Sequence, residues 1–256
     1  MQLPVALTIA GSDSSAGAGI QADLCTFKAM GVWGTTVVTA VTAQNTAEIL
    51  GIQKVDPDVV ADQIKAILTD FDVRAIKIGM LYDSEIIKTV SQQLENYTGP
   101  IVLDPIFVSS SGTALLMPKA LKELEELLFP KVTLLMPNRY EAESLSGIAI
   151  SNYNSIKAAL SSLIKLGPSS VLLKGGHLQT DWAADYFFDG QFFKVYRSKR
   201  MENLELHGAG CVYSSAIAAA LAKGYPLDKA IRISKRYISR RIQNAHRLGK
   251  GRLLIS

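Results

Sequence analysis

Between Leu204 and Leu221 the chain reads LELHGAGCVYSSAIAAAL, a glycine-rich turn that runs into a stretch of small residues with a thiol at the junction. Consecutive N–H groups of Gly208, Ala209, Gly210 and Cys211 at a helix start would form a concave nest of donors at the positive end of the helix dipole. Such a nest suits an anion. It suits a transferring phosphoryl group well, because charge grows on the equatorial oxygens and preorganised donors stabilise it there. A thiol at a helix N-terminus is expected to ionise more easily than a free one, which would let Cys211 accept a proton near neutral pH. A second reading stays open at this point: a plain turn into a helix whose small residues serve close packing.

The elements that must position this turn are legible as short apolar runs separated by stretches at helical spacing. VALTIAG (Val5 to Gly11), GTTVVTAVTAQ, RAIKIGML, PIVLDPIFV, VTLLMPN and SSVLLKGG are strand-like, with a helix expected near Gly19 to Met30 and another starting at Pro57. This alternation implies a mostly parallel sheet covered by helices on both faces. WAADYFFDGQFFKVYRS, turning at Asp189-Gly190, reads as a hairpin, and two helices, near Gly210 to Lys223 and Leu227 to Arg247, close the chain. A hairpin and paired helices break an eightfold repeat, so an open doubly wound sheet fits better than a barrel. In such sheets ligands sit beyond the carboxyl ends of the strands. There lie GSDSSAGAGIQAD, TAQNT, GML, DP, PNRYEAE and KGGH.

Composition narrows the function classes. With 27 Lys+Arg against 23 Asp+Glu, the net charge of +4 is too small to argue for nucleic acid. Two distant cysteines, Cys25 and Cys211, favour a reduced, cytoplasmic setting over a disulfide framework. The N-terminus reads as a first strand, and no uncharged apolar run approaches the roughly 20 residues of a membrane span. Gly17 to Ala22 formally satisfies a dinucleotide fingerprint, but no acidic residue follows at the ribose-binding distance. A phosphate loop of the G-x-x-x-x-G-K type is absent, His177, His207 and His246 are dispersed, and no zinc spacing or G-x-S-x-G elbow occurs. KRYISRRIQNAHRLGKGR carries seven basic residues and no acid, and reads as a solvated helix face.

Taken together, TIAGSDSSAGAGIQADLCTF, TAVTAQNT, IKIGML, VLDPIFVSSSG, LLMPNRYEAESLSG, VLLKGGH and HGAGC resemble the hydroxymethylpyrimidine/phosphomethylpyrimidine kinases of thiamine biosynthesis, within the ribokinase-like superfamily. The resemblance covers nearly the whole chain. It implies one ribokinase-like α/β domain over residues 1–256, with a central, mostly parallel sheet and helices on both faces. It also implies ATP as co-substrate with Mg2+, and phosphorylation of 4-amino-5-hydroxymethyl-2-methylpyrimidine and often of its monophosphate. Carried over by motif, Gln44 reads the pyrimidine ring, with Gly11, Asp23 and Met80 lining its pocket. Asp104, Asn138 and Glu141 form the polar group near magnesium and the nucleotide phosphates, Asp104 and Glu141 meeting the metal through water, and Lys174 lies near the ATP phosphates. Cys211, with Gly208, Ala209 and Gly210, forms the catalytic turn, where most of the superfamily carries an aspartate base. The chemistry agrees: an amide donates and accepts at once, carboxylates suit magnesium, and a lysine neutralises phosphate. The implied partners are a small substrate and ATP, in a homodimer, with no nucleic acid or membrane.

The chain also departs from the resemblance. Where the family pattern is N-T-H-G-T-G-C-T, this chain has Leu206, Ala209 and Val212 in place of three hydroxyls, and its ending is LGKGRLLIS. These changes bear on catalytic efficiency, nucleotide preference and the second phosphorylation, more than on the fold. Two alternatives follow: a pyridoxal or pyridoxine kinase on the same scaffold, or a nonenzymatic pyrimidine sensor.

Overall fold

The computed structural model of the protein describes residues 3–109, 112–175, 182–201 and 204–255. Apart from the added β3, the first half alternates as expected: β1 (Val5–Asp13), α1 (Gly19–Ala29), β2 (Trp33–Gln44), β3 (Ile49–Lys54), α2 (Pro57–Asp70), β4 (Val73–Ile78), α3 (Ser84–Gln93) and β5 (Ile101–Leu103). An irregular helical stretch follows, in which α4 (Leu121–Glu123) is flanked by 3-10 and π turns between Pro118 and Lys131. Then come β6 (Leu134–Leu135), α5 (Arg139–Ser146), α6 (Tyr153–Ile164) and β7 (Val171–Leu173). The hairpin β8 (Trp182–Phe188) and β9 (Phe193–Lys199) precedes β10 (Leu206–His207), α7 (Ala209–Ala222), α8 (Leu227–Gln243) and β11 (Leu253–Leu254).

The main sheet runs in the order β3-β2-β1-β4-β5-β6-β7-β8-β9. From β2 to β7 neighbours are parallel; β3 at one edge and the β8–β9 hairpin at the other are antiparallel. Strand order reverses direction between β1 and β4, the switch point at which a crevice opens in a doubly wound sheet. β1 bulges between Ala10 and Ser12, which turns the end of the strand toward that crevice.

Side-chain alternation on the strands decides what each face packs against. Leu7, Ile9, Ile76, Ile78 and Leu103 join the core under α2, α3, α5 and α6. Ala6, Ala75, Val102 and Leu134 face the other way, into a core shared with α1, α7 and α8. The small residues Ala6 and Ala75 oppose the equally small Ala218 to Ala220 of α7, so this helix is buried almost all round. The close-packing reading of SSAIAAAL is therefore right for the body of the helix.

Two of the differences from the sequence expectation have a local cause. The edge strand β3, ILGIQK, goes unanticipated because Gly51 and Gln53 give it little apolar patterning and it lies half exposed. The last helix stops at Gln243, short of Arg247, because His246 and Leu254 exchange two backbone hydrogen bonds of 2.9 Å that draw the tail into a pair with β11. The basic stretch is mostly solvated, with one exception: Lys235 is buried and pairs with Asp185 at 2.7 Å.

Candidate active site

A cavity of about 240 Å³ opens where β1, β2, β4, β5 and β7 end, and the N-terminus of α7 closes one side of it. Gly11, Gln44, Met80, Asp104, Asn138, Glu141, Lys174 and Gly208 to Cys211 all line it. These residues are spread over some 200 positions of sequence, and parallel topology alone brings them together. Gly176 and His177 of the KGGH motif, with Ser110 and Ser111, lie outside the described residues.

The α7 turn is held open by glycine geometry. Gly208, the N-cap, has φ +80°, and a Cβ there would overlap the Gly17 carbonyl oxygen of the facing loop. Gly19 has φ +59°, and a Cβ on it would collide with the Gly11 carbonyl. The AGAG loop (Ala16 to Gly19) and the GAG turn thus approach each other backbone to backbone at Gly17 and Gly208, which only a glycine permits.

Cys211 sits beneath this turn, 6% exposed. Its expected ease of ionisation is not what the structure shows. Burial pushes the thiol up to about 11, against the pull of the Lys77 ammonium, with Asp23 and Asp104 adding to the rise and a bond from the Gly19 N–H opposing it. Removal from water outweighs the helix dipole, so the resting group is a thiol. Iodoacetamide at pH 7.5 should therefore label exposed Cys25 and spare Cys211, whose labelling should accelerate as pH climbs toward about 11. Peptide mass spectrometry reads both sites; fast labelling of Cys211 at neutral pH would show an ionised thiol instead.

Against Gly210, where a Cβ would come within 3.0 Å of the Asp104 carboxylate, Lys174 is ion-paired with Asp104 and lies 3.7 Å from Glu141. Burial alone would lower the Lys174 pKa, but the two carboxylates outweigh it and keep the ammonium charged. Burial pushes Glu141 up to about 7, with Lys174 pulling it down and Asp104 pushing it further up. Asn138 and Glu141 are also a capping box: the Asn138 side chain accepts from the Glu141 N–H at 2.9 Å, and the Glu141 carboxylate accepts from the Asn138 N–H at 2.6 Å. One glutamate thus starts α5 and faces the cavity. Among the described residues no group of three or more His, Cys, Asp and Glu could hold a metal by itself. Two carboxylates sharing one ammonium do mark a place that attracts a cation, and they fit magnesium, which takes one or two carboxylates and fills its other positions with water and phosphate.

Asp23 requires a correction. It is fully buried and lies behind the cavity wall. Its carboxylate accepts from Thr8 at 2.6 Å, Lys77 at 2.8 Å and Ser215 at 2.5 Å. Thr8 and Lys77 share the strand face that carries Ala6 and Ala75, so sheet alternation aims both at α1 and α7. Burial acts against the Lys77 charge, but the Asp23 carboxylate holds its pKa above the ordinary lysine value. Lys77, absent from the sequence-based site, lines the cavity. Asp23 thus meets the cavity wall only through Lys77, while its charge also adds to the rise at Cys211.

Comparison with known proteins gives the family. The family model for phosphomethylpyrimidine kinase matches residues 13–256. The chain belongs to the phosphomethylpyrimidine kinase family. It is 43% identical to the hydroxymethylpyrimidine/phosphomethylpyrimidine kinase of Rhizobium meliloti over 251 residues, covering 97% of this chain and 94% of that one. It is 45% identical over 246 residues to the thiamine biosynthesis bifunctional protein ThiED of Geobacter sulfurreducens, covering 96% of this chain and spanning half of that longer protein. Among solved structures, a phosphomethylpyrimidine kinase from Clostridium difficile 630 matches with TM-score 0.82 and 42% identity, over 93% of this chain and 99% of that one. The ADP complex of Bacillus subtilis pyridoxal kinase matches with TM-score 0.92 and 33% identity, over 100% and 97%. The fold is that of the ribokinase-like kinases.

For a phosphomethylpyrimidine kinase family member the three missing hydroxyls are not equivalent. Leu206 and Ala209 line the cavity, whereas Val212 packs in the core between sheet and helices, away from it. The altered ending keeps a positional role. Gly249 and Gly251 close on Thr46, which accepts from the Arg252 N–H at 2.9 Å and from the Gly251 N–H at 3.0 Å, two residues beyond Gln44. His207 and Asp13, which sequence reading left unassigned, are also in the cavity wall, 2.7 Å apart. The signal available for Asp13 was its place at the carboxyl end of β1.

Proposed function

We propose that this chain transfers the γ-phosphoryl group of ATP to 4-amino-5-hydroxymethyl-2-methylpyrimidine and then to the resulting monophosphate, as a single domain acting in the cytoplasm. The observation that carries this reading is the layout of one cavity: Gln44 at one end, the Lys174–Asp104–Glu141 cluster at the other, and the Gly208–Cys211 turn between them. The Gln44 amide presents a donor and an acceptor to the edge of an aminopyrimidine. The N–H groups of the turn would hold the transferring phosphoryl group, with Lys174 against the phosphates. Gly11 and Met80 would lie against the ring, and a Cβ at position 11 would come within 2.9 Å of the Met80 sulfur. Asp104 and Glu141 would hold Mg2+ through water. When bound, the ion would neutralise charge shared between the nucleotide phosphates.

Cys211, in its thiolate form, would take the proton of the substrate hydroxyl as the oxygen bonds to phosphorus. The buried Lys77 charge favours that form, and because the thiol is the resting state, activity should depend on pH. A thiol also adds less negative charge than an aspartate when the acceptor is itself a phosphate ester. The expected assembly is a homodimer without nucleic-acid or membrane partners; no helix among the described residues is long and apolar enough to cross a membrane.

Phosphorus NMR of the products formed from the pyrimidine, ATP and magnesium tests the reading. One new phosphoester signal followed by a diphosphate pair is expected, and no pyrimidine-dependent turnover would refute it, leaving a binding-only sensor. A pyridoxal kinase is the second reading, favoured by the TM-score of 0.92 to the Bacillus enzyme. Steady-state rates on the two alcohols, measured side by side, separate the two, with the pyrimidine expected to be preferred.

A further inference from the structure

The Gln44 amide is gripped at both ends. One end lies 3.1 Å from His207 Nε2 and the other 3.0 Å from Thr42 Oγ1. Its backbone is fixed as well, since the Ser14 hydroxyl donates to the Gln44 carbonyl at 2.7 Å and accepts from its N–H at 2.8 Å. As placed, the amide nitrogen points at His207 and the oxygen at Thr42. A half-turn exchanges the two without changing the shape, so proton accounting decides between them.

Asp13 supplies the decisive count. Its Oδ1 accepts from the Ser15 N–H and hydroxyl, both at 2.8 Å, and its Oδ2 accepts from the Ala18 N–H at 2.8 Å and faces His207 Nε2 at 2.7 Å. With donors on both oxygens it is an ionised acceptor. Burial opposes that charge, but the bonds from His207 and Ser15 prevail and hold the carboxyl below its usual pKa. His207 Nε2 must therefore carry a proton, and it cannot also accept one from an amide nitrogen. At the far end, the Thr42 hydroxyl proton is directed to the Ser12 carbonyl at 3.0 Å, so its oxygen is left as an acceptor. Both ends favour the same arrangement: Gln44 carbonyl oxygen toward His207, where it shares the one Nε2–H with Asp13, and amino group toward Thr42.

We propose that His207, pinned by Asp13, is a specificity-determining positioning residue that fixes the Gln44 amide so that it accepts a 4-amino group on the His207 side and donates to the ring nitrogen on the Thr42 side. This rests on the pyrimidine reading of Gln44 given above. It explains direction as well as recognition. The hydroxymethyl group is the ring neighbour of the 4-amino group, and His207 is the chain neighbour of Gly208. An amine docked at the His207 end therefore sends the hydroxyl toward the α7 turn. A 4-oxo pyrimidine, whose ring N–H donates and whose carbonyl accepts, presents the reverse pattern and meets like against like at both positions.

The test is the ratio of kcat/KM for the 4-amino alcohol to that for its 4-oxo counterpart, with ATP and magnesium. Wild type should favour the amine by on the order of 100-fold or more, since two buried polar pairs are mismatched in the oxo compound. His207→Phe frees the amide to turn, and the ratio should fall at least tenfold, through a higher KM for the amine and a lower one for the oxo compound. His207→Gln restores a donor at the Nε2 position and should restore most of the ratio. Thr42→Val, which loosens the other end, should also lower the ratio and carries the same readout if His207→Phe does not fold. Equal losses on both substrates in a folded variant, with the ratio unchanged, would overturn the proposal and leave His207 a structural role. If wild type phosphorylates neither pyrimidine while binding ATP, the pyrimidine reading itself fails; a wild type active on the amine with unchanged variant ratios sinks only the role of His207.

Discussion

Replacing Cys211 by alanine should lower kcat by about 10²- to 10⁴-fold, the usual contribution of a positioned proton acceptor. Dissociation constants for ATP and the pyrimidine should change little, because the nest is made of backbone N–H groups that the substitution leaves in place. The wild-type pH profile gives an independent check. With the thiol held up to about 11, the reactive form gains about tenfold per pH unit, so kcat/KM should rise from pH 7 toward 9, and this rise should vanish in Cys211→Ala. Retention of more than a tenth of wild-type kcat, or an unchanged pH slope, would remove Cys211 from the proton path. Cys211→Asp extends the experiment. A permanent carboxylate should penalise the monophosphate acceptor more than the alcohol, through repulsion with the acceptor's own phosphate. An equal change on both would refute the charge argument for a thiol at this position.

Lys77→Met should cost about 3–5 kcal/mol of stability, the expected penalty for stranding a buried charge. Both Lys77 and Asp23 have fully buried side chains, and the pair sits between the sheet and α7 beneath the site. On a total of about 5–15 kcal/mol that loss brings the protein near its unfolding threshold. Urea titration measures it; a loss below 1 kcal/mol would show that water reaches the pair. The double variant Lys77→Met with Asp23→Asn removes both charges, leaves one amide oxygen to accept from Thr8 or Ser215 and an amino group that donates to the other hydroxyl, and should recover much of the stability. Activity should stay low in the double variant, since the positive charge beside Cys211 is still missing. Recovery of stability and activity together would make Lys77 a structural residue only.

Much of this protein could be read from particular residues. The apolar runs from Val5 to Leu173 identify the parallel sheet because strands buried on both faces have nearly continuous hydrophobic sequence. Gly208 marks the turn because the close approach of the Gly17 backbone tolerates no side chain there, and a side chain at Gly210 would crowd the Asp104 carboxylate. Asn138 and Glu141 stand at the spacing of a capping box, a local signal whose second role as cavity wall is not local at all. Failures came where burial overrides sequence context. Asp23 follows a glycine-rich loop as a pocket residue would, yet the register of α1 turns it inward to Lys77.

By itself, then, the sequence determined the order of the central strands and the main helices, the glycine turns and the set of residues at the strand ends, since these follow from short-range sterics and from hydrophobic period. Only the tertiary structure decided the ionisation of Cys211, the partner of Asp23 and the proton on His207. Each of these depends on how much water is excluded and which charge lies within a few ångströms, and distances between residues as remote as Asp13 and His207 exist only once the sheet is assembled.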